Sequence, residues 1–171
     1  MTRKHKKHAT GTASVTVPKP EVTFMVEPWS RFKIEAAPLW IEHWKEVAIN
    51  QAEIPLKVDY RQFDQQDATG SLHIIVARHQ GVIIGYWLGF VRPHFHYADS
   101  LTAYTDIYYL DPAFRNAGTG AALFGFVEKS LKQRGVQKIF TATKCHLDHS
   151  ALFEALGYNR TEIVFTKLLE D

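Results

Sequence analysis

The stretch Asp106-Ile107-Tyr108-Tyr109-Leu110-Asp111-Pro112-Ala113-Phe114-Arg115-Asn116-Ala117-Gly118-Thr119-Gly120-Ala121-Ala122-Leu123 leads from a strand through a turn into a helix, and its reading decides the fold. Leu101 to Leu110 has the apolar and aromatic content of a strand, and Pro112, with no N–H to donate, helps end it. From Gly118 to Arg134 the residues Ala121, Ala122, Leu123, Phe126, Val127 and Leu131 recur at helical spacing, and Gly135 suits the C-terminal cap. A tight turn that feeds a helix presents backbone N–H groups lacking helical acceptors, and the helix dipole adds positive charge there. Gly118 and Gly120 have no β-carbon to hold a phosphate off the main chain, and Arg115 brings a guanidinium that can bind it in a bidentate way. A diphosphate is the natural ligand. Taken alone, Gly-x-Gly fits an ordinary helix start equally well, so the surrounding chain has to decide.

Working outward, Leu72-His73-Ile74-Ile75-Val76-Ala77-Arg78 and Val82 to Val91 flank His79-Gln80-Gly81, a hairpin pattern with glycine at the turn. Arg92 to Ser100 is expected to be a connection. Val22 to Val26 predicts a first strand closed by Glu27-Pro28. Leu39, Trp40, Trp44, Val47 and Ala48 predict one or two helices between Ile34 and Ala52. Ile54 to Gly70 is polar and broken by Pro55, which predicts a loop with at most a short helical turn, at the border of a substrate site. Beyond the central helix come a strand over Val136 to Thr143, a short helix over His149 to Leu156 and a last strand over Thr161 to Leu169. Strand, helices, three strands, helix, strand, helix, strand is an α/β (α+β sandwich) order.

The chain of 171 residues, 46% hydrophobic, is the size of one domain with one substantial core. Its +2 net charge is uneven, because Arg3, Lys4, Lys6, Lys7 and Lys19 place +5 in residues 1–20 without an acid. The rest therefore carries −3, the total less the tail, and gives no ground for a nucleic-acid-binding fold. Residues 1–20 read as a flexible basic tail, and 21–171 as the folded domain. The tail is most simply solvated, although Lys4, His5, Lys6, Lys7 and His8 would suit a nucleic-acid contact. Cys145 is the single cysteine, so no intrachain disulfide forms, and a reducing cytoplasm is the expected compartment. No apolar run has the length of a signal core or a membrane span.

In this setting Arg115-Asn116-Ala117-Gly118-Thr119-Gly120 resembles motif A of the GNAT superfamily, Arg/Gln-x-x-Gly-x-Gly/Ala, and fills each fixed position. Asp106 to Phe114 looks like the strand before that motif. Leu152-Phe153-Glu154-Ala155-Leu156-Gly157-Tyr158 looks like a later one, in which a helix runs into Leu-Gly-aromatic. The match covers roughly Glu21 to Leu169. Arg92-Pro93-His94-Phe95-His96-Tyr97 with Gly157-Tyr158 further resembles acetyltransferase-like proteins of phage genomes. The resemblance implies a mixed twisted sheet of six to seven strands, flanked by helices and splayed beside the fourth strand. Acetyl-CoA would be the co-substrate, with no metal. Its diphosphate would lie on Arg115 to Gly120 and its pantetheine arm against the backbone of Tyr109 and Leu110 and the ring of Phe153. The implied acceptor is a primary amine on a small molecule, peptide or protein.

Direct attack needs a neutral amine, whereas an alkyl amine of pKa about 10.4 is protonated at neutral pH. In several family members an acid nine positions before the motif A arginine takes this proton, and Asp106 stands there. Strand alternation is expected to place Tyr104, Asp106 and Tyr108 on one face. A structural carboxylate is the equal alternative for Asp106. Phe153 departs from the family, since many members carry there the tyrosine that protonates the leaving thiolate. Cys145 and His146, with His149 and Tyr158, are candidates to replace it, although a small packed residue is the plainer reading of Cys145. The departure leaves open a second function, a catalytically silent fold used for binding or as a virion-associated interaction protein.

Other signals are weaker. His94 and His96 lack evident third and fourth ligands, so they are read as surface or packing residues rather than a metal site. Trp29, Trp40, Trp44 and Trp87 are read as core or cleft wall. Asp59, Asp64 and Asp67 would suit a cationic acceptor but fit a solvated loop as well. A P-loop enzyme is disfavoured, because the turn lacks the terminal Lys-Ser/Thr.

Overall fold

A computed structural model describes residues 21–115 and 118–169. The tail and two motif residues, Asn116 and Ala117, lie outside them. Five strands form one sheet in chain order: β1 (Thr23–Val26), β2 (Leu72–His79), β3 (Val82–His94), β4 (Tyr97–Leu110) and β5 (Val136–Phe140). The first four are antiparallel and β5 lies parallel to β4. The helices α1 (Trp29–Glu35), α2 (Ala37–Val47) and α3 (Tyr60–Ala68) come before β2. Of the other two, α4 (Thr119–Gln133) lies between β4 and β5, and α5 (Ser150–Ala155) follows β5.

Both sheet faces are buried, which explains why β2 and β3 read as continuous apolar runs. One core joins Trp29, Phe32 and Trp40 of the first helices to Ile74, Val76, Tyr86, Leu88 and Tyr109 of the sheet. The other joins Leu123, Phe124, Val127 and Leu131 of α4 to Ile75, Trp87, Ala103 and Phe153. Of the four tryptophans, Trp29, Trp40 and Trp87 are core residues and Trp44 is half-buried. At the sheet margin, buried Arg78 makes a bidentate pair with Glu27 at 2.6 and 2.8 Å and reaches Glu35 at 2.7 Å, fixing β2 to the segment that enters α1.

Three expectations need correction. The expected connection from Arg92 to Ser100 is mostly strand: His94 pairs with Tyr97 around Phe95-His96, so β3 and β4 form a long hairpin whose tip has no glycine signal. The polar stretch before β2 contains a nine-residue helix, α3, whose Asp59 cap accepts from the Arg61 and Gln62 amides at 3.1 and 3.2 Å. Thr161 to Leu169 carries the composition of a strand but has no sheet partner among the described residues, so the sheet has five strands rather than six or seven.

The feature that positions the site is at β4. Leu88 opposes Ile107, yet Gly89 opposes Thr105, which leaves Asp106 as the extra residue of a β-bulge. Gly89 suits this place, since a β-carbon there would lie 2.7 Å from the Tyr104 carbonyl oxygen and 2.4 Å from the Trp87 ring. On the other side β5 pairs only with Leu101 to Tyr104. From Thr105 to Leu110 the two parallel strands are unpaired, and the sheet opens between them.

Candidate active site

The bulge changes which side chains share a face. Simple alternation would put Tyr104, Asp106 and Tyr108 together, but the inserted residue breaks the count. Tyr108 packs with the α4 core, whereas Asp106 lines a cavity with Phe63 and Phe90 on the opposite face. Tyr104 is on the cavity face, opposite Phe90 and beneath the Arg92 guanidinium at 5.0 Å. The cavity holds about 430 Å³ and is lined by Asp59, Gln62, Phe63, Gln66, Phe90, Arg92 and Asp106. Solvent reaches Asp106 through it, yet the surrounding protein removes enough water to raise the carboxyl above its ordinary pKa. No hydrogen bond or ion pair holds Asp106 among the described residues, so the structure gives it no cap or partner.

At the far side of β4, Asp111 caps the 3-10 turn Pro112–Phe114, and the chain re-enters at Gly118 with φ of 100° before α4 begins. This left-handed conformation favours glycine. Among the described residues the first ladder bond of α4 runs from the Ala122 amide to the Gly118 carbonyl at 2.8 Å, and the amides in the first turn of a helix have no acceptor within that helix. Among the described residues, a β-carbon on Gly120 would meet only Leu152, at 3.6 Å. Thr119 is buried at the helix start.

The side chain of Arg115 is engaged by β4 and α2. Its Nε donates to the Leu110 carbonyl at 2.7 Å, and its two terminal nitrogens donate to Glu46 of α2 at 2.5 and 2.6 Å. The guanidinium also lies 5.5 Å from the Tyr109 ring centre. Arg115 holds the Glu46 carboxyl below its usual range. Glu46 is thus a residue that sequence reasoning missed: it sits on an amphipathic helix face with no local mark of its role. The Glu46 backbone carbonyl accepts from His146 Nε2 at 3.4 Å, so the end of α2 touches both sides of the opened sheet.

Phe153 is 6% exposed, with its ring edge-on to Phe124 at 5.0 Å and to Tyr108 at 5.8 Å. It is a core residue. Tyr108 donates to the Ala142 carbonyl at 3.1 Å and contacts His149 Nδ1 at 3.2 Å across the opening. Cys145 and His146 are exposed on the segment after β5. Tyr158 is packed against Phe153, and burial raises its phenol pKa. Of the three loop carboxylates, Asp59 lines the cavity while capping α3, and Asp64 is taken by Lys33 and the Trp29 indole at 2.8 and 2.7 Å. His94 and His96 stand with ring centres 5.5 Å apart, and no cluster of three metal-ligating side chains occurs among the described residues. Nor is any described helix long and apolar enough to cross a membrane.

The sequence profile of the acetyltransferase (GNAT) family matches residues 37–158. No curated protein sequence matches the chain. Solved structures that resemble it include a predicted acetyltransferase with acetyl-CoA from Clostridium acetobutylicum, at 14% identity and TM-score 0.64, covering 86% of this chain and 96% of that one. The ribosomal-protein-alanine N-acetyltransferase of Brucella melitensis is 16% identical with TM-score 0.65, over 88% of this chain and 100% of the other. Glucosamine-6-phosphate N-acetyltransferase from Arabidopsis thaliana is 17% identical with TM-score 0.63, over 86% and 99%.

Proposed function

Because the chain belongs to the acetyltransferase (GNAT) family, we propose that it transfers acetyl from acetyl-CoA to a primary amine that enters the cavity at Asp106. The observation that carries this reading is the Asp106 bulge, which sets an unpartnered carboxyl between an open cavity and the opened edge of β4. The Gly120 and Ala121 amides at the start of α4 would hold the diphosphate, with Asn116, Ala117 and Thr119 completing the turn. Tyr109 and Leu110 would offer their backbone to the arm.

Asp106 would take the proton of the ammonium, whose freed lone pair attacks the thioester carbonyl. The C–N bond forms, the nitrogen gives up its second proton to solvent, the C–S bond breaks, and the thiolate leaves with both electrons of that bond. A thiol of pKa near 8.5 is a tolerable leaving group even without a tyrosine at Phe153. Cys145 and His146 are proposed as its proton sources, and His146 is favoured by its contact with α2 at the mouth of the opening.

Incubation of the protein with radiolabelled acetyl-CoA and a panel of alkylamines, amino sugars and lysine peptides should yield labelled amide. The buried Phe153 favours the second reading, a silent binding fold. Tight acetyl-CoA binding with no labelled product from any amine would select it.

A further inference from the structure

The polar groups around the cavity are unequally occupied. Asp59 accepts from α3 amides and from Gln62 Nε2 at 3.2 Å, and Gln66 Oε1 accepts from the Ser71 hydroxyl at 2.5 Å. Two charged side chains on the wall have no hydrogen bond or ion pair among the described residues: Arg92 of β3 and Asp106 of β4. They do not meet each other. The Arg92 guanidinium rests over the Tyr104 ring, and Tyr104 precedes Asp106 by two residues on the same face, a separation of about 7 Å along the strand. Phe63 and Phe90 stack with centres 6.3 Å apart and line the same cavity, giving it an apolar wall.

We propose that the acceptor carries, besides its amine, an anionic group (carboxylate or phosphate) that Arg92 binds while the amine lies at Asp106. A chain of several methylenes would then lie along Phe63 and Phe90. The inference rests on the acetyltransferase reading for its amine, but the second recognition point is a property of Arg92 alone. An amine without the anion would leave a guanidinium facing the cavity unpaired, and a diamine would place like charges together.

The test titrates the whole protein with 6-aminohexanoate, hexylamine and 1,5-diaminopentane, following amide resonances by NMR, with 4-aminobutyl phosphate added to tell which oxyanion is preferred. A charge-assisted contact corresponds to a preference of roughly tenfold or more for 6-aminohexanoate or the phosphate over hexylamine. Arg92 is exposed, so its replacement should fold. Arg92→Ala should abolish the preference, Arg92→Lys should keep part of it, and Arg92→Glu should move it to the diamine. Equal binding of hexylamine, or a preference that survives Arg92→Ala, overturns the proposal. Loss of the preference in Arg92→Ala with no acetyl transfer to any probe would uphold this recognition and count against the catalytic reading, so the two fail separately.

Discussion

At the scale of single residues the account turns on Asp106. A carboxyl kept partly dry holds its proton more tightly than in the unfolded chain, so its pKa lies above the ordinary value. The sign for stability follows: Asp106 costs stability above its raised pKa, and that cost is relieved as pH falls through it. Asp106→Asn keeps the shape and removes both charge and basicity. It should therefore lower kcat by about 10²-fold or more while leaving the melting temperature at neutral pH equal or higher. Steady-state kinetics beside a thermal melt checks both; a variant with full kcat, or one that unfolds more easily, would make the carboxylate structural. Asp106 is singled out in the sequence by its distance from Arg115, but its facing was not legible there, because a bulge inserts one residue into the alternation and leaves no compositional mark. Arg115 shows the converse. Its type and position were legible, while its bidentate partner Glu46 is 69 residues away and belongs to a helix whose docking no local pattern records.

Elements are held to one another by a few buried polar contacts. His43 of α2 meets the Tyr86 hydroxyl of β3 through Nδ1 at 2.8 Å, and His73 of β2 meets the Ser130 hydroxyl of α4 through Nε2 at 2.9 Å. Burial, the larger cause in each, lowers both imidazoles to pKa about 4. Arg134 donates to the Nδ1 of His73 at 3.3 Å, which fits a neutral ring. Depressed histidines bind protons in the unfolded chain before they do in the folded one. Their contribution is complete above about pH 6.5 and lost as pH falls toward 4, a change on the order of a few kcal/mol. Urea unfolding at pH 7, 6, 5 and 4 should show stability falling over this window, with a smaller slope in His43→Gln and in His73→Gln. A flat profile in the unaltered protein would mean that neither ring is held neutral. The helix α4 and the cores of the five strands were legible from period and turn residues, but the long tip of the β3–β4 hairpin was not. The helix α3 was not, because its face is polar and its cap, Asp59, resembles an ordinary loop acid.

Across the whole molecule, the order of strand, helices, hairpin, strand, helix and strand was legible, since each step followed an apolar run or a glycine turn, whereas a mixed sheet opened beside β4 was what the resemblance to the GNAT superfamily implied. The last segment was less legible. Ile163, Val164 and Phe165 have β-forming side chains but are 83%, 76% and 89% exposed, because composition predicts the propensity to extend and not the presence of a neighbouring edge. The opened sheet and the glycine turn at α4 meet in one proposal: the start of α4 would hold the diphosphate of the coenzyme. Gly120→Glu tests it cleanly. The first atom of the new side chain has ordinary room beside Leu152, and a carboxylate in the first turn of a helix favours the helix, so the variant should fold while its charge repels phosphate. Calorimetric titration of acetyl-CoA into both proteins should show binding to the unaltered chain and a loss of roughly tenfold or more in affinity for Gly120→Glu. Equal affinity in a folded Gly120→Glu protein would contradict the account.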